Sequence, residues 1–345
     1  MLKLARVVIL LVILATIVQP EPLPRLLSAL KLSERLERIV VSVVALPRLP
    51  IMGVGGAGVF DAAMLDHITS FREWDHYHAP GGTLPVHRFW TWGKMNRPVG
   101  TPAGDCLSGA GTTRAWMDAV FACDQPVLDT ILASYPGAWH GIGNEPNWYP
   151  ALAPSDYAYQ LHLYASYILS ADPTAQIMLG GLLASAACTP DWADWLDAVQ
   201  VSYAAQFGGP FPATLWDIHP YDAGWPDGVA AGNLTIADVQ DFRQYLDTRA
   251  LPGNIVIGEF SDAGGVNTTS ALMDYIETTC DWLTSNGMDN GVIAWYWWGV
   301  TTAGMGTTGL FSNSPYKQST ITDVGNAYLS HCTRHLTFLP LVAVG

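Results

Sequence analysis

The sequence predicts an α/β fold, a (β/α)8 TIM barrel over residues 51–332. Three observations carry that expectation. Short apolar runs recur along this region, and most are near-continuous rather than alternating, as in parallel strands covered on both faces. Stretches with helical spacing and polar starts lie between them. Eight such runs fall in this stretch, whose length is close to the ~250 residues of an eight-unit barrel. An open doubly wound sheet is the alternative that the same alternation allows.

In order, the expected strands are Ile51–Gly55, Arg72–Tyr77, Pro85–Trp92, Ala138–Gly143, Gln176–Gly181, Leu215–His219, Ile255–Glu259 and Val292–Trp297. Ser155-Asp156, after Pro154, opens a helix through Ser170, with Tyr157, Leu161, Tyr164 and Ile168 at helical spacing. Thr189-Pro190-Asp191 opens another that carries Trp192, Trp195, Leu196 and Val199. Thr235 is expected to cap Ile236–Arg249, with Pro252-Gly253 as the stop. Thr269 or Ser270 begins Ala271–Ser285, and Asn286-Gly287 ends it. Thr322-Asp323 begins a last helix through Leu329.

Charge divides the chain near residue 50. The formal net charge is −14, but residues 1–50 hold seven basic residues against three acids, leaving −18 for the rest. An acidic body with so few clustered basic residues excludes nucleic acid as an expected partner. Lys3 and Arg6 precede the apolar run Val7–Val18, the pattern of an export signal or N-terminal anchor over residues 1–19. That run is short for a membrane span of ~20 residues. A secreted or cell-surface protein is therefore expected, touching a membrane only through such an anchor. Residues 20–50 read as a linker with an amphipathic piece, and residues 333–345 as an apolar tail.

The five cysteines form no C-x-x-C pair, which argues against a zinc ribbon or a thioredoxin-type site. In an exported protein Cys106 and Cys123 can close one loop and Cys280 can reach Cys332, with one cysteine left over. Asn233-Leu234-Thr235 and Asn267-Thr268-Thr269 are glycosylation sequons, relevant in a host that uses them.

The working residues of a barrel lie at the carboxyl ends of its strands. Reading those ends gives Trp90, Trp92, Asn144, Glu145, His219, Tyr221, Glu259, Trp295, Trp297 and Trp298. Two strands end on a glutamate. In His140-Gly141-Ile142-Gly143-Asn144-Glu145-Pro146-Asn147 an apolar run stops at an amide, a carboxylate and a proline, and the proline cannot continue a central strand. Ile255-Val256-Ile257-Gly258-Glu259-Phe260 ends the same way. Two carboxyl groups supply the acid and the nucleophile of glycosidic cleavage, and flat tryptophan faces suit sugar rings. Parity puts Trp295 and Trp297 on one face and Trp298 on the other, so at least one of these is core. Trp90 and Trp92 fit packing as well as binding. His219 also reads as a hydrogen-bonded structural histidine. His76 and His78 lack a third metal ligand, so no metal is expected.

Gly143-Asn144-Glu145-Pro146, His219-Pro220-Tyr221, Gly258-Glu259-Phe260 and Ala294-Trp295-Tyr296-Trp297 follow in that order. Together they resemble the signatures of strands four, six, seven and eight in clan A, the retaining (β/α)8 glycoside hydrolases. The resemblance covers roughly residues 51–330 and is nearest to small endo-β-1,3-glucanase-type cores, where an aromatic early strand like Trp74–Tyr77 precedes an apolar third one. It implies Glu145 as general acid/base and Glu259 as nucleophile. It implies Asn144 on the sugar 2-hydroxyl, Tyr221 donating to Glu259, His219 in the floor and Trp295 as the sugar platform. Trp297 and Trp92 join it as binding candidates. The clan also carries an early-strand arginine near the nucleophile; Arg88 is the candidate, though its neighbours depart from the pattern.

The expected function is then a retaining glycoside hydrolase that cleaves β-linked glucan or a related polysaccharide by double displacement. It would act as a monomer without a cofactor, with its carboxyl groups ~5–5.5 Å apart. A non-catalytic carbohydrate-binding barrel is the rival. An NAD-dependent oxidoreductase is a third reading, because Gly53-Val54-Gly55-Gly56-Ala57-Gly58 matches G-x-G-x-x-G. Pro47 and Pro50 leave that motif only a stub of strand before it.

Overall fold

A computed structural model describes residues 51–56, 70–73, 87–93, 96–97, 107, 109–148, 151–184, 191–221, 233–261, 268–298, 311–312 and 320–332. Eight parallel strands close into a barrel: β1 (Ile51–Gly56), β2 (Ser70–Glu73), β3 (His87–Trp92), β4 (Trp139–Ile142), β5 (Gln176–Leu182), β6 (Leu215–Ile218), β7 (Asn254–Phe260) and β8 (Val292–Trp298). Each strand pairs with the next, and β8 pairs with β1 through Ile51↔Ala294 to Gly55↔Trp298. Closure rules out the open doubly wound sheet. The glycine-rich motif also loses its nucleotide reading here. Gly53 and Gly55 lie inside β1, paired to β8 and β2, rather than after the strand as the motif requires; Ala57 and Gly58 lie outside the described residues.

Helices pack around the strands: α1 (Arg114–Ser134), α2 (Pro154–Ala171), α3 (Trp192–Phe207), α4 (Asn233–Thr248), α5 (Thr269–Asn286) and α6 (Asp323–Cys332). Where side chains are described, both faces of the strands are buried. Met178, Leu215, Val256, Ala294 and Tyr296 fill the barrel interior. Ile177, Leu179, Trp216, Ile218, Ile255, Ile257, Trp295 and Trp297 pack outward with the helices. No helix among the described residues is long and apolar enough to cross a membrane.

The helix starts follow local chemistry. Asp191 caps α3 by accepting from the Ala193 and Asp194 N–H groups, and Thr268 caps α5 through Ala271 N–H. Thr322 accepts from Gly325 N–H at 3.0 Å at the start of α6. Pro154 sits at the first turn of α2, where its missing N–H costs nothing. Thr235 is not a cap. The helix already begins at Asn233, and the buried Thr235 hydroxyl is held by Pro220 O at 3.2 Å and the Tyr275 hydroxyl at 2.9 Å. Helix α1 was not expected from the sequence. It contains Pro126, and its buried face includes Asp124, which interrupts the apolar periodicity. Asp124 Oδ2 accepts from Gly93 N–H at 3.0 Å and the Tyr164 hydroxyl at 2.7 Å, tying the end of β3 to α2.

A disulfide joins Cys280 on α5 to Cys332 on α6, 52 residues apart, as the cysteine positions allowed. Cys123 on α1 is disulfide-bonded too; Cys106 and Cys188 lie outside the described residues. Closing a loop of that length stabilises the fold by about 4 kcal/mol through the unfolded chain. The double variant Cys280→Ser/Cys332→Ser is expected to lose about that much in urea titration. An unchanged urea midpoint would show that α6 is held by packing alone.

Candidate active site

The site is built where β4, β5, β6 and β7 end. After Ile142 the chain continues one residue of pairing, with Gly143 N–H donating to Trp92 O at 2.7 Å. It then turns, with positive φ at Gly143 (85°) and Glu145 (46°). A glutamate in that region is strained by about 1–3 kcal/mol and must be held by its surroundings. Its own N–H donates to Gly181 O on β5 at 3.0 Å. Two residues on, the buried Asn147 amide donates to Leu183 O at 2.9 Å and accepts from Leu183 N–H at 3.0 Å, copying a strand pairing with the end of β5. Gly180 permits this approach, because a Cβ there would overlap the Ile142 and Gly143 carbonyl oxygens. Tyr157 of α2 stitches the same seam, donating to Ile142 O at 2.7 Å and accepting from Gly180 N–H at 3.0 Å. Burial pushes its hydroxyl pKa far up, so it stays protonated.

Three of the expected residues meet here. His219 Nδ1 lies 3.0 Å from Glu145 Oε1 and 3.6 Å from Glu259 Oε2. One ligating atom from each of Glu145, His219 and Glu259 lies within 4.8 Å of the others. Tyr221 adds a hydrogen bond from its hydroxyl to Glu259 Oε2. Exposure separates the carboxylates: the Glu145 side chain is 15% exposed and Glu259 3%. His219 is fully buried beneath both, with Gly181 leaving room for its ring. Asn144 is half-buried at the same strand end.

The same three residues form a candidate ligand set for a metal. Here, however, the imidazole nitrogen is engaged by Glu145 and one Glu259 oxygen by Tyr221. A second such group, Glu277, Asp281 and His331, sits on α5 and α6 with His331 Nδ1 3.1 Å from Asp281 Oδ1.

The tryptophans are where the structure departs from the sequence reading. Trp297 packs against Phe260, Tyr275 and Tyr328 on the helix side of the barrel, at centroid distances of 5.3, 6.0 and 5.8 Å. Trp295 shares its parity and its core, fully buried. Trp92 is also fully buried, its indole N–H donating to His140 Nδ1 at 2.9 Å. None of the three is a sugar platform, because each side chain is spent on the layer between strands and helices. His140, the partner of Trp92, stays neutral; burial lowers its pKa to about 4 against the opposing pull of Asp172. Arg88 lies on β3 opposite Phe71, and its side chain is outside the described residues. Strand β2 carries an arginine of its own, Arg72, opposite Gly55 and Phe89. His76 and His78 also lie outside the described residues.

Two residues near the site were not singled out from the sequence. Trp148, three residues past Glu145, is 53% exposed, and its N–H donates to Glu145 O at 2.9 Å. Asp217 is a fully buried carboxylate inside the barrel. A charged residue in the middle of a strand buried on both faces is the signal that would have found it.

The chain superposes on a GH128 (subgroup II) endo-beta-1,3-glucanase from Sorangium cellulosum at 15% identity and TM-score 0.58, over 81% of this chain and 98% of that one. It has their fold. A GH128 (subgroup II) endo-beta-1,3-glucanase from Pseudomonas viridiflava gives 16% identity and TM-score 0.55 over 81% and 97%. A glycoside hydrolase family 5 enzyme from Prevotella bryantii gives 12% and 0.50 over 81% and 95%. The glucanase-like barrel thus accounts for nearly the whole of each matched chain. No family model and no curated protein matches the sequence.

Proposed function

We propose that this chain is a retaining glycoside hydrolase that cleaves a β-linked glucan by double displacement. The observation that carries the reading is the pair of glutamates at the ends of β4 and β7, with carboxylate oxygens within 4.8 Å. Retaining enzymes hold their carboxyl groups ~5–5.5 Å apart, and inverting ones need ~6.5–9.5 Å to admit a water. Glu259, buried and oriented by Tyr221, suits the nucleophile. Glu145, more open, suits the proton donor to the leaving oxygen and then the base that activates water. Asn144, beside it, is assigned to the sugar 2-hydroxyl by the motif resemblance. β-1,3-Glucan is the first substrate to test, because two of the matched structures are described as endo-beta-1,3-glucanases. Export to the surface or the medium is supported by Lys3 and Arg6 before Val7–Val18, and by the disulfides.

The test is incubation of the purified chain with soluble β-1,3-, β-1,4- and mixed-linkage glucans and mannan, with the anomer of the first product followed by NMR. The β anomer is expected first. An α anomer would mean inversion. Glucan binding with no product across the panel would leave a carbohydrate-binding barrel.

A further inference from the structure

The sequence offers Trp92, Trp295 and Trp297 as sugar platforms, and the fold places all three between strands and helices. A cleft that holds a glucan still needs a flat apolar face, because a pyranose turns its C–H bonds to one side and aromatic rings meet them there. Among the described residues only two aromatic side chains are exposed, Tyr135 and Trp148. Tyr135 caps the end of α1, just before β4 begins, and packs on Trp90 with centroids 5.2 Å apart. It therefore lies at the amino-terminal rim, away from the two glutamates.

Trp148 lies at the other rim. Its N–H donates to Glu145 O at 2.9 Å, closing a turn whose end residues lie within ~7 Å of each other. The proposed proton donor and the indole are thus the two ends of one turn. That turn is fixed by several bonds: Glu145 N–H to Gly181 O at 3.0 Å, the Asn147 amide to Leu183, and Leu152 N–H to Pro146 O at 2.8 Å. Pro146 and Asn147 are buried, so Trp148 is where the turn meets solvent. It is 53% exposed, and its indole makes no hydrogen bond and stacks on no other ring among the described residues. An exposed ring on a fixed backbone is preorganised: a ligand stacked on it buries apolar surface with little backbone left to order.

We infer that Trp148 is the platform for the leaving-side sugar of the glucan, the first unit beyond the bond that is cleaved. The inference rests on the roles proposed for the two glutamates. In that reaction Glu259 bonds to the anomeric carbon from one side, and Glu145 gives its proton to the glycosidic oxygen on the other. The sugar that departs with this oxygen is on the Glu145 side, where the turn carries Trp148. The residue thereby selects substrates that extend past the cleaved bond. Its contact is the same in the ground state and the transition state, so it acts on KM rather than kcat.

The test compares two probes on the full chain, soluble β-1,3-glucan and the β-fluoride of β-1,3-glucobiose. The fluoride ends at the cleaved bond, so its leaving atom offers the platform nothing. Trp148→Ala is expected to lose about 10-fold in kcat/KM on the glucan, nearly all of it in KM, as when an aromatic anchor is truncated. On the fluoride it should keep most of both kcat and kcat/KM. Release of the sugar from Glu259 needs Glu145 as base, so an intact fluoride kcat also shows that the turn still holds that carboxylate. Trp148→Phe should recover most of the loss on glucan and Trp148→Leu little, because only a flat ring stacks.

Equal losses on the two probes would overturn the inference, since they would put the effect on Glu145 rather than on the sugar. So would an unchanged KM on the glucan, or equal recovery in Trp148→Phe and Trp148→Leu. A wild type inert toward both probes would instead overturn the hydrolase reading for β-1,3-glucan, and the platform with it.

Discussion

Glu145→Gln is expected to cut turnover of a natural glucan by about 10²–10⁴-fold, the loss typical of removing a general acid, and Glu259→Gln by more. The glutamines keep the shape of the site, so the fold should survive both changes. The two residues are told apart by azide. In Glu145→Ala an activated aryl glycoside can still load the sugar onto Glu259, and azide should attack from the vacated side to give a β-glycosyl azide. In Glu259→Ala no covalent intermediate forms, and azide should occupy the nucleophile's place and give the α product. Ordinary activity in either glutamine variant would end the assignment of that residue, and exchanged azide products would reverse the roles.

Gly180→Ala is expected to cost more than about 3 kcal/mol, beyond the usual price of overpacking a core. The added Cβ would strike the Ile142 and Gly143 carbonyls at the end of β4, and backbone packed into the wall of a closed barrel has nowhere to go. Soluble yield and the urea midpoint should both fall sharply. Gly208→Ala is the comparison: it has a positive φ of 66° but no atom within 4 Å of the new Cβ. It should lose only about 1–2 kcal/mol, the strain of a left-handed alanine. Equal losses at the two positions would mean that the β4–β5 seam is more yielding than its geometry indicates.

Much of this architecture was legible before any coordinates. Seven of the eight strands lie where apolar runs end in Gly, Pro or a polar group, because a two-sided dry strand leaves little else to write. The second, Ser70–Glu73, begins before the expected Arg72–Tyr77, shares only Arg72 and Glu73 with it, and is too polar to read as such a run, while Trp74–Tyr77 lie outside the described residues. The same property hid the orientation of the tryptophans. Along Val292–Trp298 both faces are apolar, so parity can pair Trp295 with Trp297 but cannot say which side is the barrel interior. Ala294 and Tyr296 took that side, and the two tryptophans went to the helices. Glu145 and Glu259 were legible because a carboxylate closing an apolar strand is chemically out of place there. Asp217 was equally out of place, but the glycines around it, Gly141, Gly181 and Gly258, stand on three other strands, a relation that exists only in space. Helix α1 was missed for a local reason, since Pro126 and Asp124 break the pattern on which a helix is read.

The clasp between Asn147 and Leu183, together with the Glu145-to-Gly181 hydrogen bond, bears on how this barrel can be re-engineered. Modular exchange of βα loops treats each loop as the property of one strand. Here residues 143–148 take their shape from β5 as much as from β4. A transplant of that loop alone would carry the glutamate without the template that sets its backbone. The transferable module is the pair of segments, 143–148 with 180–184, moved together.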